Sequence, residues 1–392
     1  MFQLPSSEEL TKIQNHILNI INSKNRIAVI GGPGTGKTVL AIIAMHRNRG
    51  GNMIITKSKP LQQGLSNFRI KAYTMDSFIW ISIVYRWTDG DEDKARALTN
   101  YNGVKHSIDW NGIKHLYDNL PADKRDKYDS IFVDEGQDLP NEFYELITRM
   151  TDKIFVSFDE AQEVDGHADH RLDYQRNRIL GALGLQESFY DLIENFRNTK
   201  QIESVAKLFY GNYEKNDFSL KGLTSIRDGG LPKIYSGVSY RSVVDEICRE
   251  YKNHPCSVAI LLPDHMHFEL WENTMRESVQ RNGIADKFFY KLNDHTNIDE
   301  RNVMGSGIFM MTYRVGKGME FDKVYLVDLE NFSLHSETNK NSLYVACTRA
   351  RDELSFVFIS SDYRNSDAGK KLTENSSMFE EAKISKESDL LF

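Results

Sequence analysis

Strand-like apolar runs alternate along the chain with segments whose apolar residues recur every three or four positions. In the first half the runs are Ile27–Ile30, Met53–Thr56, Ile70–Tyr73, Ser130–Val133 and Ile154–Phe158. In the second half they are Lys233–Tyr235, Ser257–Leu262, Ile308–Thr312, Lys323–Asp328 and Leu354–Ile359. The runs predict buried strands, and segments with the helical period, such as Ser6–Asn22, predict amphipathic helices. The alternation predicts an α/β fold whose parallel sheets carry helices on both faces.

Breaks in this pattern indicate the domain organisation. Residues 79–128 are rich in tryptophan, tyrosine and charge, which predicts a small, mostly helical insertion. We expect a first α/β domain over residues 1–197 and a second over residues 198–360. Residues 361–392 are polar and lack periodicity, so we expect a mobile tail there.

Composition limits the function classes. The 392 residues are 40% hydrophobic and 27% charged, as in a soluble globular protein of two domains. The sequence has no apolar stretch of membrane-spanning length and no export-signal pattern at its start, and its three cysteines are too few for a disulfide framework. We therefore expect a cytoplasmic protein without a membrane partner. The net charge of −7 disfavours a uniformly nucleic-acid-binding surface but allows a local basic track.

A glycine-rich segment directly follows the first predicted strand and precedes a helix-forming segment. It reads Gly31-Gly32-Pro33-Gly34-Thr35-Gly36-Lys37-Thr38. Its spacing fits the phosphate-binding loop (P-loop, or Walker A motif), in which glycines let backbone N–H groups turn toward an anion. Lys37 can reach the terminal phosphates, and the Thr38 hydroxyl can bind Mg²⁺. The segment predicts nucleotide binding; the alternative is a glycine-rich turn without a ligand.

Two carboxylates follow the strand-like run Ser130–Val133. Asp134 and Glu135 would lie at the carboxyl end of a parallel strand, which is where such sheets bind ligands. We expect Asp134 to hold Mg²⁺, directly or through water, and Glu135 to orient and polarise an attacking water. The alternative is an acidic loop that caps the next helix.

Together with further blocks, these motifs resemble superfamily 1 helicases of the UvrD/Rep type, in the family's order over almost the entire chain. The further blocks are Phe158-Asp159-Glu160-Ala161-Gln162, Asn195-Phe196-Arg197-Asn198, Thr312-Tyr313-Arg314, Gly316-Lys317-Gly318-Met319-Glu320-Phe321 and Tyr344-Val345-Ala346-Cys347-Thr348-Arg349-Ala350. The resemblance implies two RecA-like parallel-sheet domains with an ATP cleft between them.

The resemblance also implies roles for the residues of the ATP site. Gln14 would read the adenine edge, Phe196 would lie under the adenine, and Gln162 would sense the γ-phosphate. Arg197 and Arg349 would reach the phosphates from the second-domain side, although a surface ion pair is the usual alternative for an arginine. The implied catalytic residues are Lys37, Glu135, Gln162, Arg197 and Arg349. The implied ATP-binding residues are Gln14, Gly31, Gly32, Pro33, Gly34, Thr35, Gly36, Lys37, Thr38, Phe196, Gly318 and Glu320. The implied Mg²⁺ ligands are Thr38 and Asp134.

The resemblance implies that the protein binds single-stranded nucleic acid, and we expect DNA before RNA. The candidate contacts are Thr56, Lys57, Ser77, Phe78, Thr312 and Arg314. Phe78 could equally be a core residue. Phe158 stands where the family has glycine and Arg314 where it has histidine. The first of the family's two large accessory insertions is reduced to residues 79–128, and residues 199–304 leave little room for the second.

These features favour an ATP-driven motor that translocates on single strands and unwinds weakly unless a partner assists. The alternative is a nucleotide-gated regulatory subunit that switches a partner protein such as a nuclease.

Overall fold

The computed structural model describes most of the chain. The described residues are 10–21, 23–48, 50–56, 62, 65, 70–100, 103, 107–160, 174–185, 189–210, 223–285, 289–292 and 306–384. Two predicted site residues, Lys57 and Gln162, lie outside these ranges.

The described helices follow the alternation read from the sequence. They are α1 (Lys12–Ile20), α2 (Lys37–Arg47), α3 (Met75–Ser82), α4 (Glu92–Thr99), α5 (Trp110–Asp118), α6 (Asn141–Met150), α7 (Tyr174–Ala182), α8 (Lys200–Phe209), α9 (Tyr240–Asn253), α10 (Phe268–Arg281), α11 (Glu337–Cys347) and α12 (Asp367–Glu374). A π-helical turn, Ile83–Trp87, extends α3, and short 3-10 turns cover Gly136–Asp138, Tyr363–Asn365 and Ser376–Met378. None of the described helices combines the length and apolar composition needed to cross a membrane.

The described strands form two larger sheets and one ribbon. They are β1 (Arg26–Gly31), β2 (Asn52–Thr56), β3 (Ala72–Thr74), β4 (Ser130–Val133), β5 (Ile154–Phe158), β6 (Phe189–Leu192), β7 (Glu194–Thr199), β8 (Thr224–Arg227), β9 (Lys233–Ser236), β10 (Ser257–Leu262), β11 (Phe289–Lys291), β12 (Gly307–Thr312), β13 (Phe321–Leu326), β14 (Ala350–Phe358) and β15 (Glu380–Glu381).

The first sheet has the strand order β3-β2-β4-β5-β1-β6, and all of its neighbouring strands are parallel. Its central strands are buried along their length, which agrees with their continuous apolar sequences. One face packs against α1 and α2 through residues such as Ile17 and Leu40. The other packs against α3, α5, α6 and α7 through residues such as Ile113, Phe143 and Ile179.

The second sheet has the strand order β11-β12-β10-β13-β14-β9-β15 and is also parallel throughout. α8, α11 and α12 cover one face, where Phe209, Leu343 and Leu372 are buried. α9 and α10 cover the other, where Ile247 and Trp271 are buried. The chain is therefore α/β with two parallel sheets, each covered by helices on both faces.

A two-stranded parallel ribbon of β7 and β8 follows the first sheet along the chain. Its helix α8 contributes Ile202, Val205 and Phe209 to the core of the second sheet, so the ribbon is attached on that side. The pairing of β7 with β8 shifts register between Asn195 and Thr199.

The prediction of a mobile tail is wrong for residues 361–384. α12 buries Ala368 and Leu372 in the second core, and β15 pairs with β9 through Glu380 opposite Lys233. The ring of Phe379 contacts Phe356 with centroids 5.8 Å apart. The sequence hid this packing because a short helix with few buried positions leaves its polar residues in the majority.

Candidate active site

The phosphate-loop segment connects β1 to α2 at the carboxyl edge of the first sheet. Gly34 and Gly36 have φ values of 73° and 84°, a left-handed conformation that glycine adopts without steric cost. The Lys37 Nζ donates hydrogen bonds to the carbonyl oxygens of Gly31 (2.7 Å) and Gly32 (2.9 Å). The Thr35 hydroxyl also donates to Gly32 (2.9 Å). The side chains of Lys37 and Thr35 therefore hold the loop in a closed curve.

Strand register explains which side chains meet this loop. β5 lies between β1 and β4, with Phe158 opposite Ile30 and Val156 opposite Val133. Asp134, which follows β4, is therefore adjacent to Ser157. The Ser157 hydroxyl donates to Asp134 Oδ1 (2.5 Å), and the Thr38 hydroxyl donates to Asp134 Oδ2 (2.6 Å).

The side chains of Thr38 and Asp134 contact each other and offer two oxygen atoms that can act as metal ligands. Burial raises the pKa of Asp134 and the neighbouring Glu135 charge raises it further, while the Ser157 and Thr38 hydroxyls oppose this shift. Mg²⁺ prefers oxygen ligands and keeps several of its waters, so one hydroxyl and one carboxylate fit such an ion. A divalent cation here would also favour the ionised form of the buried carboxylate.

Glu135 has an unusual backbone conformation, with a φ of 55° that non-glycine residues seldom adopt. The Gln137 side-chain amide donates to Glu135 Oε2 (2.5 Å). Burial would raise the pKa of Glu135, but Lys37, Lys317 and this hydrogen bond outweigh it and hold the pKa below its ordinary value. Glu135 is therefore a half-buried carboxylate in its ionised form, beside the phosphate loop.

β7 runs against the phosphate loop. The backbone N–H of Phe196 donates to the Gly34 carbonyl (2.9 Å). A Cβ at Gly34 would lie 2.6 Å from the Arg197 Cβ, so the two backbones are in close contact. The Arg197 Nε donates to Glu320 Oε2 (2.6 Å), and this arginine holds the pKa of Glu320 below its ordinary value.

Arg349 is buried at the start of the β14 segment, with 1% of its surface exposed. Its guanidinium donates to the carbonyls of Val345 (3.0 Å) and Met319 (3.2 Å). Burial lowers the pKa of Arg349 to about 10. The positive charge of Arg197 also lowers this pKa, whereas the negative charge of Glu135 raises it. Arg349 thus lies within electrostatic range of both Arg197 and Glu135.

Gln14 also contacts the loop. Its side-chain Nε2 donates to the Thr35 carbonyl (3.2 Å), and its Oε1 accepts from the Thr11 N–H (3.0 Å) in the N-terminal capping box of α1. A primary amide has two donors and two acceptor positions, so these bonds use half of its capacity.

A partly buried ion pair that sequence reasoning missed joins the two sheets. The Lys317 Nζ lies 2.8 and 2.7 Å from the two carboxylate oxygens of Asp138. Lys317 belongs to the segment that carries Gly318 and Glu320, whereas Asp138 follows Glu135 in the first domain. The only available signal was that both residues stand inside motif blocks.

The candidate nucleic-acid contacts differ in exposure. Arg314 is exposed and Ser77 is half-buried, whereas Thr56 and Thr312 are buried. Phe78 is 2% exposed and packs its ring against Tyr73, Tyr128 and Phe143. Phe78 is therefore a core residue in this structure, and the contacts of the six candidates with nucleic acid stay predictions.

Comparisons with known proteins bear on the second sheet. Residues 269–361 match the UvrD-like helicase C-terminal domain family. No curated protein matches the chain. A similar solved structure is the C-terminal domain of a possible DNA helicase from Lactobacillus plantarum WCFS1, with 18% identity and a TM-score of 0.34. That match covers 47% of this chain and 96% of the solved chain. The family match supports a relationship of the second sheet to UvrD-type helicases, and it includes Glu320 and Arg349.

Proposed function

We propose that this chain is an Mg²⁺-dependent ATPase of the superfamily 1 helicase type, which uses hydrolysis to move on single-stranded nucleic acid. One observation carries the proposal. Arg197, on the ribbon attached to the second sheet, places its Cβ against Gly34 of the phosphate loop. Arg349 adds a second cation, which lies within electrostatic range of Glu135. Phosphoryl transfer requires cations at this kind of position, where negative charge develops on the transferred group.

In hydrolysis, a water oxygen bonds to the γ-phosphorus while the bond from that phosphorus to the bridging oxygen breaks, giving ADP and phosphate. When bound, Mg²⁺ supplies a Lewis acid at the phosphate oxygens. Lys37 would exchange its loop carbonyls for phosphate oxygens. The Glu135 carboxylate, ionised at neutral pH, would orient the water and accept its proton. Arg197 and Arg349 would bind the transferred group bidentately.

Movement on a strand would follow from a change in the contacts between the two sheets. Arg197 forms an ion pair with Glu320, and Lys317 forms one with Asp138. A bound triphosphate would compete with these two carboxylates for the cations. Such competition would shift one sheet relative to the other during each ATP cycle. Arg314 is exposed, and binding to the phosphates of a nucleic acid requires accessible cations. Arg314 is therefore the strongest candidate for a contact with the phosphate backbone of a single strand.

The proposal is tested by phosphate release from Mg-ATP, with and without single-stranded DNA or RNA. We expect strand-stimulated turnover in the wild type. Glu135→Gln should lower kcat by about 100-fold or more, since it removes the group that orients and deprotonates water. Binding of a fluorescent ATP analogue by this variant should change by less than about threefold, because the phosphate loop is intact.

Glu145→Gln is the matched control, since Glu145 is an exposed carboxylate on the next helix, and its turnover should equal that of the wild type. Absence of ATP turnover in the wild type would overturn the proposal. Nucleotide binding without stimulation by any strand would instead favour the regulatory subunit that switches a partner protein.

A further inference from the structure

We infer that Asn198 is a positioning residue for Arg349, and that Asn195 connects this pair to the phosphate loop. This inference rests on the proposed function, because it assigns Asn198 an effect on ATP turnover that is exerted through Arg349. Neither asparagine was among the residues singled out for catalysis or binding.

Asn198 bonds to the backbone on both sides of Arg349. Its side-chain Nδ2 donates to the carbonyls of Thr348 (3.1 Å) and Ala350 (2.5 Å). These two carbonyls belong to the residues immediately before and after Arg349. One amide group, 150 residues away in sequence from Thr348, therefore fixes the peptide unit that precedes Arg349 and the one that follows Ala350.

Asn195 holds Asn198 and the Arg197 backbone. Its Nδ2 donates to Asn198 Oδ1 (2.9 Å), and its Oδ1 accepts from the N–H groups of Arg197 (2.9 Å) and Asn198 (3.2 Å). A Cβ at Gly34 would overlap Asn195 Oδ1, so Asn195 is also in contact with the phosphate loop. Two asparagines thus link Gly34, Arg197 and Arg349.

Burial makes this link stiff. Asn195 is 1% exposed, and Asn198 has no exposed surface. Each of the two side-chain amides bonds on both its oxygen and its nitrogen, and a buried network satisfied in this way favours a single geometry. Since an error of about 1 Å in the position of a catalytic group can cost about 100-fold in rate, a rigid backbone at Arg349 has a direct kinetic consequence.

The test is a double-mutant cycle on ATP turnover in the full chain. Asn198→Ala should lower kcat about 10- to 100-fold, while the KM for ATP and the binding of a fluorescent ATP analogue change less than about threefold. In an Arg349→Ala background, the same Asn198→Ala substitution should change kcat by less than about twofold, because the group it positions is absent.

Thermal unfolding separates positioning from general destabilisation. The Tm shift caused by Asn198→Ala should be the same in both backgrounds, since the network is equally broken. If the alanine variant does not fold, the double-mutant cycle is repeated with Asn198→Ser, whose hydroxyl supplies one hydrogen-bond donor in place of the amide. Ser278→Ala is the matched control: it removes a buried hydroxyl bonded to Asp245 in the second domain and should leave kcat unchanged.

The outcomes distinguish the inference from the proposed function. No ATP turnover in the wild type overturns the proposed function, and the inference with it. Turnover in the wild type, with equal losses from Asn198→Ala in both backgrounds, overturns the inference alone. A large rise in KM without a loss of kcat also overturns it, because Asn198 would then support ATP binding.

Discussion

At the scale of single residues, the site depends on backbone conformations that few side chains permit. Gly34 has a left-handed φ and contacts both Asn195 and Arg197. Glu135 adopts a similar φ despite its side chain, which costs on the order of 1 kcal/mol. Both residues lie at the carboxyl edge of the first sheet. Backbone strain and close approach therefore coincide with the candidate chemistry.

We predict that Gly34→Ala lowers the free energy of unfolding by about 2 to 4 kcal/mol, because a left-handed alanine is strained and its Cβ would overlap the side chains of Asn195 and Arg197 on β7. Binding of a fluorescent ATP analogue should weaken at least about tenfold, since the loop must move. Urea unfolding and fluorescence titration measure the two effects.

Gly283→Ala is the control for Gly34→Ala. Gly283 has a φ of 65°, but among the described residues no atom lies within 4 Å of the position that a Cβ would take there. Only the conformational strain of about 1 kcal/mol is therefore expected. Equal losses of unfolding free energy in the two variants would show that β7 leaves room for a Cβ at Gly34.

At the scale of elements, the segment after β14 is part of the second domain. The 3-10 turn at Tyr363–Asn365 precedes α12, and the Tyr363 ring lies 4.8 Å from that of Phe358. β15 then extends the second sheet beyond β9. Residues 361–384 therefore close one edge and one face of this sheet.

We predict that Leu372→Ala lowers the free energy of unfolding by about 2 to 4 kcal/mol, because Leu372 is fully buried in the second core and its truncation leaves a cavity. Urea unfolding gives the value. Lys370→Ala, on the exposed side of α12, should stay within about 0.5 kcal/mol of the wild type. A loss below about 1 kcal/mol for Leu372→Ala would contradict the packing of α12 against the second sheet.

At the scale of the whole molecule, an ion pair connects the loops of the two sheets. The Lys317 and Asp138 side chains are 16% and 4% exposed, so their pair is well shielded from solvent. Arg197 and Glu320 form a second pair beside the phosphate loop. The Lys317–Asp138 pair thus holds the two sheets together, and both pairs use cations that a triphosphate could also bind.

We predict that Lys317→Met lowers the free energy of unfolding by about 3 kcal/mol, because it leaves the Asp138 carboxylate buried without its lysine. A cycle with Asp138→Asn, measured by urea unfolding, should give a coupling of about 1 to 3 kcal/mol. Lys124→Met is the control, because its pair with Asp89 is exposed and should contribute less than about 1 kcal/mol. A coupling near zero for Lys317 and Asp138 would remove this pair from the connection between the sheets.

Local sequence determined the interior strands and the position of the glycine-rich turn. The observed bounds of β4, β5 and β10 equal the predicted runs, because strands buried on both faces are nearly continuous in apolar residues. The P-loop spacing placed the turn correctly between β1 and α2, since both flanking elements are encoded by neighbouring residues. Five strands were missed: β6, β7, β8, β11 and β15. All of them lie at the edge of a sheet or in the two-stranded ribbon, where burial is incomplete and the apolar signal is weak.

Only the tertiary structure decided which distant residues meet. Thr38 and Asp134 are 96 residues apart in sequence, and Lys317 and Asp138 are 179 apart. Whether the Phe78 ring is open to a nucleic-acid strand or buried in the core depended on the packing of α3 against the first sheet. The bonds of Asn198 to both neighbours of Arg349 depended on the attachment of the ribbon to the second sheet. The spacing of residues along a chain carries local conformation, whereas such contacts arise only when separate elements pack together.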